Sequence, residues 1–381
     1  MKKINTQRGL YRRLRLKSAV LLVILPFLGG CTVTSSRSSD KDNPKTVTIV
    51  TWNVQALFDG DETGMEYDTY LQAAGWTNEK YRARLNTLAQ GMSRIAGNTP
   101  DILGMEEIEN SRVLEDLVEG PLKDCGYQYF CFANNPGASL GIGLLSRFPL
   151  AETRVHSITD QGQTAPRPIL EARLLVQNQP LVLLVCHWKA KQADQETAVT
   201  EFLRRAAARI VVRRLQELQE EDPAIPVIIM GDLNENHDEW YRETGTTITA
   251  LLPDDPEAAA LIGSRGDAES SGDFLILSRN KPPIPVYFPD PAPALYSPWG
   301  NELQEGSYYF KDNWETIDHF LLTAPLFDRI GWDFASCMVI NQEPFINAQG
   351  RPATYNPRTG NGLSDHLPLL LILQLASTQD G

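Results

Sequence analysis

Asp232 and Asn234, one leucine apart, close the run Val227-Ile228-Ile229-Met230-Gly231. A carboxylate beside a carboxamide can hold a water molecule, the first accepting its proton and the second fixing its orientation. On an extended segment, residues two apart point to the same side, so the two groups would act together. Gly231 would let the backbone turn where a Cβ would crowd a substrate. Gly, Asp and Asn are equally common in turns, so this stretch alone also admits a plain turn. Repetition elsewhere decides. Asn53 follows Thr46–Trp52, Glu106 and Glu107 follow Pro100–Met105, and His187 follows Leu181–Cys186. Asp318 sits inside Trp314–Leu322, and Asp365-His366 lead into Leu367–Leu373. This inventory of Asn, Asp, Glu and His comes without a GxSxG nucleophile motif or a CxxC pair. It suits a hard divalent cation combined with proton management.

The elements that must position these groups are strands. Val227–Met230, apolar throughout and bounded by Pro226 and Gly231, reads as a strand buried on both faces. Thr46–Trp52 has the β-branched content of a strand and would deliver Asn53 to its end. Alternation sends Glu106 and Glu107 to opposite faces, so only one can enter a shared site. Tyr81, Leu85, Leu88, Met92 and Ile95 recur at helical spacing over about 78–96. Leu203, Ala207, Ile210, Val211, Leu215 and Leu218 form the buried stripe of a second helix, about 197–218. Strand after strand with a polar terminus implies an α/β protein whose sheet edges converge on one crevice. From Thr244 to Tyr309 the chain is rich in Pro, Gly and Asp. It holds a short strand at Phe274–Leu277 and, over Pro282–Pro298, a long surface loop of the kind where substrate choice resides. There is no internal repeat and no second core, so residues 46–376 read as one domain.

Residues 1–30 stand apart. Lys2, Lys3, Arg8, Arg12, Arg13, Arg15 and Lys17 precede the apolar run Ala19–Leu28, the layout of a secretory signal peptide. Leu28-Gly29-Gly30-Cys31 resembles the lipobox of bacterial lipoproteins, which implies cleavage before Cys31 and lipid on its sulfur. The alternative is an uncleaved membrane anchor, for which the apolar run is short. Either way the domain is exported to the cell envelope and tethered to a membrane, with residues 31–45 as a flexible leash. Losing the signal removes seven positive charges and no negative ones from a formal −13, leaving about −20. Bulk attraction for nucleic acid is thereby excluded, and phosphate chemistry must be local and metal-assisted. Export permits disulfides among Cys125, Cys131, Cys186 and Cys337, with no pairing deducible. The acidic loop Asp59–Asp68 is either a calcium site without EF-hand spacing or a solvated loop. Arg205, Arg209 and Arg213 either steer nucleic acid or form a solvated helix face. His156, His237 and His319 are read as surface or structural.

The motifs carry a family resemblance. Thr51-Trp52-Asn53-Val54-Gln55, Met105-Glu106-Glu107-Ile108-Glu109-Asn110, Leu145-Ser146-Arg147, Gly231-Asp232-Leu233-Asn234, Ile317-Asp318 and Ser364-Asp365-His366-Leu367-Pro368 resemble, in order, the motifs of the endonuclease/exonuclease/phosphatase superfamily, the fold of deoxyribonuclease I. The resemblance implies a four-layer α/β sandwich, two mixed β-sheets flanked by helices, with Mg²⁺ or Mn²⁺ at one rim. It implies Glu107 as metal ligand, assisted by Asn53 and Asp365. It further implies Asp232 as the group that positions or deprotonates water, Asn234 as its partner on the phosphate, and His187 and His366 as phosphate-facing histidines. Asp318 would orient His366, and Arg167 would lead a strand beside the site and contact substrate. Gln55 departs from the pattern, standing where abasic-site endonucleases have an acid, and the family's active-site tyrosine has no evident counterpart.

The expected activity is metal-dependent hydrolysis of a phosphodiester, by a monomer acting on nucleic acid and held to the membrane through lipidated Cys31. Gly231-Asp232-Leu233-Asn234-Glu235 and His187-Trp188-Lys189 look more like nuclease-type members than like lipid or inositol phosphatases. A phosphatase or sphingomyelinase-type phospholipase is the alternative, and a non-catalytic surface-binding protein on the same scaffold is the second.

Overall fold

Parity along the strands decides which side chains meet. In the computed structural model, which describes residues 46–191, 198–264, 272–288, 293–303 and 305–376, strand β1 runs over Thr46–Leu57. The signal segment, the leash and Cys31 lie outside the described residues. Val47 and Ile49 pack into the layer between two sheets, while Val50, Trp52 and Val54 pack outward under helices. The remaining strands are β2 (Ile102–Ile108), β3 (Tyr129–Ala133), β4 (Gly141–Ser146), β5 (Leu150–His156), β6 (Ile169–Val176) and β7 (Gln179–His187). They continue as β8 (Val227–Asp232), β9 (Leu251–Pro253), β10 (Leu275–Ser278), β11 (Ala294–Tyr296), β12 (Asp318–Leu322), β13 (Trp332–Val339) and β14 (Leu369–Leu375). The first sheet has the order β13-β14-β1-β2-β4-β3 and the second β9-β10-β11-β12-β8-β7-β6-β5. Both mix parallel and antiparallel pairs, such as β1 with β2 and β1 with β14.

The sheets face each other. Ile228 and Met230 of β8 point at the first sheet, and Val227 and Ile229 point the other way, as expected of a strand apolar on both faces. At Gly104 of β2 an added Cβ would stand 2.5 Å from the Met230 methyl, so the absence of a side chain sets how closely the sheets approach. Helices α1 (Asn78–Met92) and α2 (Ser111–Glu119) cover the first sheet through Tyr81, Leu85, Leu88, Leu114 and Leu117. Helix α3 (Ala198–Glu221) covers the second through Ala207, Val211, Leu215 and Leu218. Helix, sheet, sheet, helix is the four-layer arrangement implied by the motifs, with strands predominating. No helix among the described residues is long and apolar enough to cross a membrane.

Two expectations about the strands need correction, and two open alternatives are resolved. Asn53 does not end β1; the strand continues past a bulge to Leu57, with Gln55 and Ala56 at φ 56° and 44°. The Pro282–Pro298 stretch is not all surface loop, because Ala294–Tyr296 forms a buried strand and Trp299 is buried beside it. Its prolines flank the strand, where no ladder donor is lost, and so conceal it from composition. The four described cysteines are free, Cys131, Cys186 and Cys337 being buried. The arginines of α3 face carboxylates, Arg205 meeting Asp273 at 2.6 Å and Arg213 meeting Glu217 at 3.9 Å, which makes a solvated helix face.

On the outer side of the second sheet, Glu171 of β6 receives both Nε and Nη2 of Arg214 from α3, at 2.8 and 3.0 Å, and lies 2.7 Å from His156. Burial alone would raise this carboxyl, but the hydrogen bonds and charges of His156 and Arg214 prevail and hold it at about 2. Its ordinary value is 4.5, so the stabilisation is complete above pH 4.5 and lost as the pH falls toward 2. Glu171→Gln is therefore predicted to cost about 3 kcal/mol at pH 7, because it also removes the bidentate partner of the buried Arg214 Nε and Nη2, leaving only Nη1 paired, with Glu217 and Glu221. Denaturant midpoints of the two proteins should differ constantly from pH 7 to 4.5 and converge below that; a gap that does not narrow would contradict the pairing.

Candidate active site

The site is one registered row on each facing sheet. In the second sheet Asp232 pairs across to His187 on β7 and to Asp318 on β12. All three share the parity of Met230, Val185 and Phe320, which fill the layer between the sheets. In the first sheet Asn53 pairs with Glu106. Asn53 has the parity of Val47 and Ile49, so it faces Asp232 across the rim and donates from Nδ2 to Asp232 Oδ2 at 3.1 Å. The same nitrogen donates to Glu107 at 3.3 Å, while Asn53 Oδ1 accepts from the Gln55 backbone at 3.0 Å. Asn53 thus bridges the two carboxylates. Glu107 sits at φ 66° where the pairing with β1 and β4 shifts register, and its other oxygen accepts from Ala56 N at 2.7 Å. Both bulges serve this contact, re-aiming a carboxylate and an amide toward each other.

The segment before β14 closes the rim. Ser364 donates to the Asn53 carbonyl at 2.6 Å and accepts from His366 N at 3.0 Å. Trp52 Nε1 donates to the His366 carbonyl at 3.0 Å. His366 Nδ1 lies 2.8 Å from Asp318 Oδ2, which also accepts from Ser307 at 2.6 Å. His366 Nε2 is 3.9 Å from Asp232 Oδ2, and His187 Nε2 is 3.5 Å from the same oxygen. The other Asp232 oxygen accepts from Asn234 N at 2.9 Å. Strand β8 ends at Asp232, and Asn234 turns in at φ 52° rather than by alternation along an extended segment. Its Nδ2 donates to the Trp188 carbonyl at 3.2 Å. Arg167 donates to the His187 and Trp188 carbonyls at 3.3 and 2.8 Å, so it anchors that loop while remaining in the field of Glu107 and Asp232.

Electrostatics sorts the groups. Burial raises Asp232 most strongly, and Asp318 adds to this while His366, Asn234 and Asn53 oppose it; the result is about 7. Burial alone would discharge His366, but Asp318, Asp232 and Asp365 outweigh it and keep the imidazole protonated well above its ordinary range. His187 goes the other way, driven well down by burial and by the positive charges of Arg167 and His366. Burial and neighbouring charges thus push the two histidines in opposite directions. Glu106, buried between the sheets with one oxygen bonded to Thr51, is raised far above the carboxylate range by burial and by Asp318. Burial also raises Asp365, with His366 opposing and Glu107 reinforcing.

Asp232, Asp318 and His366 present atoms within 4.8 Å of one another, yet His366 already spends one nitrogen on Asp318. Carboxylate lone pairs for a hard cation are offered by Glu107 and Asp365, whose mutual repulsion a divalent ion would relieve. The donor set fits a hard divalent cation. Every site residue expected from the sequence within the described chain lies on this rim. Ser307, Ser364, Tyr308 and Glu106 were given no role there. Ser364 lies inside a quoted motif, whereas Ser307 and Tyr308 lie in the Pro-, Gly- and Asp-rich stretch that carries no motif. Tyr308 stacks on His366 with centroids 4.5 Å apart. His237 hydrogen-bonds Thr316 and His319 the Glu235 carbonyl, both structural as expected.

Two facing mixed sheets with helices outside and acid and imidazole groups on one rim define a deoxyribonuclease I-like sandwich. Residues 48–252 match the endonuclease/exonuclease/phosphatase family, and the chain belongs to it. Members of that family are hydrolases of phosphodiesters or phosphate esters, typically dependent on divalent metal. Among solved structures, D. rerio TDP2 humanized by 14 mutations is similar at 15% identity, covering 86% of this chain and 98% of that one with a TM-score of 0.50. A mannosyl-6-phosphatase of Bacteroides thetaiotaomicron is 13% identical over 86% of this chain and 99% of that one, with a TM-score of 0.48. An endonuclease/exonuclease/phosphatase family protein of the same organism is 14% identical over 87% and 99%, with a TM-score of 0.48. At such identities the likeness is one of fold. No curated protein matches the sequence significantly.

Gly231, at φ 129°, explains why the row can form. A Cβ there would stand 1.9 Å from the Cys186 carbonyl oxygen, so it is the neighbouring strand, rather than a substrate, that forbids a side chain. Gly231→Ala is predicted to destabilise the fold by about 3 kcal/mol, from overpacking and left-handed strain. The check is a chemical denaturation midpoint beside Gly263→Ala, where a Cβ meets open space; equal midpoints for the two variants would refute the account.

Proposed function

We propose that this protein is a divalent-metal-dependent phosphodiesterase, a nuclease hydrolysing DNA or RNA by in-line attack of water. The observation that carries the reading is the geometry at Asp232: a buried carboxyl with one oxygen surrounded by Asn53, His187 and His366, and raised from its ordinary value by burial. A group poised there can take a proton from water at working pH. Asn234 holds the loop against the Trp188 carbonyl and donates its backbone N–H to Asp232. His366, fixed by Asp318 and Ser307, offers an N–H and a positive charge to a phosphate oxygen. Neutral His187 adds polarity without charge. A cation held by Glu107 and Asp365, with Asn53 positioning both Glu107 and Asp232, would neutralise the leaving oxygen.

Charge favours a diester over a phosphatase substrate. Among the described residues both ionic partners of Asp232 are imidazoles, one of them neutral, and Arg167 turns two of its nitrogens to backbone carbonyls. One imidazolium and one divalent ion suit a monoanion better than the dianion of a monoester. The basic stretch, apolar run and lipobox-like Leu28–Cys31 support export and attachment to the envelope through lipid on Cys31, with the domain acting as a monomer.

Asp232→Ala and His366→Ala are each predicted to lower kcat about a thousandfold or more with the fold retained, and EDTA to abolish turnover. Plasmid DNA, RNA, sphingomyelin and inositol phosphates, supplied with Mg²⁺ to the domain from about Lys45, give the readout. Head-group release without strand cleavage, or wild-type rates in either variant, would overturn the proposal. Cys31→Ser should move the full-length protein from the membrane to the soluble envelope fraction; unchanged partition would dismiss the lipid.

A further inference from the structure

A ladder of rings leads out of the site. Tyr308 and Phe310 lie on a hairpin, Tyr308–Phe310 against Asn313–Glu315, whose two-residue turn Lys311-Asp312 has φ 46° and 64° at both positions. Residues two apart share a face, so Tyr308 and Phe310 are on one side and Tyr309 on the other. On the first side His366 and Tyr308 stack with centroids 4.5 Å apart and planes at 28°, and Tyr308 and Phe310 follow at 6.1 Å and 17°. On the second side Tyr309 meets Trp314 edge-on at 5.2 Å and lies under Arg351 at 4.2 Å, which anchors the hairpin. Tyr308 also bridges to His366 through the backbone, and Leu367 N donates to the Ser307 carbonyl at 2.7 Å. The outer rung, Phe310, is 41% exposed, with the Lys311 ammonium 5.2 Å from its centre.

A rigid, solvent-facing aromatic at the end of a stack that begins on a phosphate-facing imidazole has few uses within the fold. We propose that Phe310, backed by Tyr308 and His366, is a stacking platform for the base of a nucleotide near the scissile phosphate, and that the substrate class is therefore single-stranded nucleic acid. The inference rests on the phosphodiesterase reading of the site. Three features on the molecule favour a base over a sugar or an acyl chain. The rungs are near-parallel planes, which a third plane extends. Lys311, whose ammonium stands over the outer ring, would swing off it to meet a neighbouring phosphate when a base stacks there. The mature chain's charge of about −20 repels a long polyanion, so binding must come from contacts that do not depend on salt, and stacking is such a contact. A base inside a duplex has both faces occupied by its neighbours and cannot reach the platform.

Four substrates test this with Mg²⁺ present: a single-stranded oligonucleotide, the same strand in a duplex, an equally long strand of abasic residues, and sphingomyelin. The unaltered protein should cleave the single strand with kcat/KM about tenfold or more above both the duplex and the abasic strand, and the preference should persist as salt rises. Phe310→Ala should lose most of that preference through KM, whereas Phe310→Trp should keep it. Equal rates on normal and abasic strands, a duplex preference, or an unchanged preference in Phe310→Ala would each overturn the platform while leaving the phosphodiesterase standing. A uniform loss on all strands in Phe310→Ala would assign the hairpin a structural role and overturn it too. If neither strand is cleaved, or sphingomyelin alone is, the underlying reading falls and the platform with it.

Discussion

Carboxyl groups that must leave water together govern this structure. Asp232, Asp318 and Glu106 lie inside the rim between two sheets, and Asp365 and Glu107 stand at its edge. Ionising all of them in such surroundings is prohibitive unless each finds a counter-charge or keeps a proton. The protein resolves the conflict unequally. His366 carries the positive charge that Asp318 and Asp232 require, Glu106 is held in its neutral form, and Asp232 is left balanced near pH 7. A base at neutrality is thus a consequence of where the charges are buried, not a property of aspartate.

The row is assembled by strand register, and register is paid for in backbone strain. Asp232, His187 and Asp318 sit side by side because their strands pair in that frame, and Gly231 is what lets β8 lie so close to β7. Gln55, Ala56, Glu107 and Asn234 all adopt positive φ within or beside the site. Left-handed conformations of such residues cost of order 1 kcal/mol each and persist only where surrounding contacts hold them. Here the contacts are hydrogen bonds to the functional side chains: Ala56 N to the Glu107 carboxylate, Gln55 N to the Asn53 amide oxygen, and Asn234 N to the Asp232 carboxylate.

Much of this was legible in the amino-acid order. Apolar runs that end in Asn, Glu, His or Asp announced strands converging on one crevice, but alternation alone did not separate Glu106 from Glu107: Glu106 lies between the sheets and Glu107 reaches the rim only because a bulge re-aims it. The bulges were not legible, because register shifts depend on pairing with distant strands. Asn53 therefore seemed to end its strand, and Asp232 and Asn234 seemed to share an extended segment. Strand β11 was hidden by prolines that flank it. Tyr308 and Ser307 were missed because their link to His366 and Asp318 is made by a hairpin in an otherwise irregular stretch. The neutral state of His187 could not be foreseen, since it depends on burial and on the nearness of Arg167 and His366.

The unequal charge of the two histidines is the claim on which the rest stands, and nitrogen-15 NMR of the imidazoles reads it directly. With His187→Asn and His366→Asn spectra to assign the signals, the account predicts at pH 7.5 a His366 ring protonated on both nitrogens and a His187 ring in a neutral tautomer. Two neutral rings, or the charge residing on His187, would contradict it.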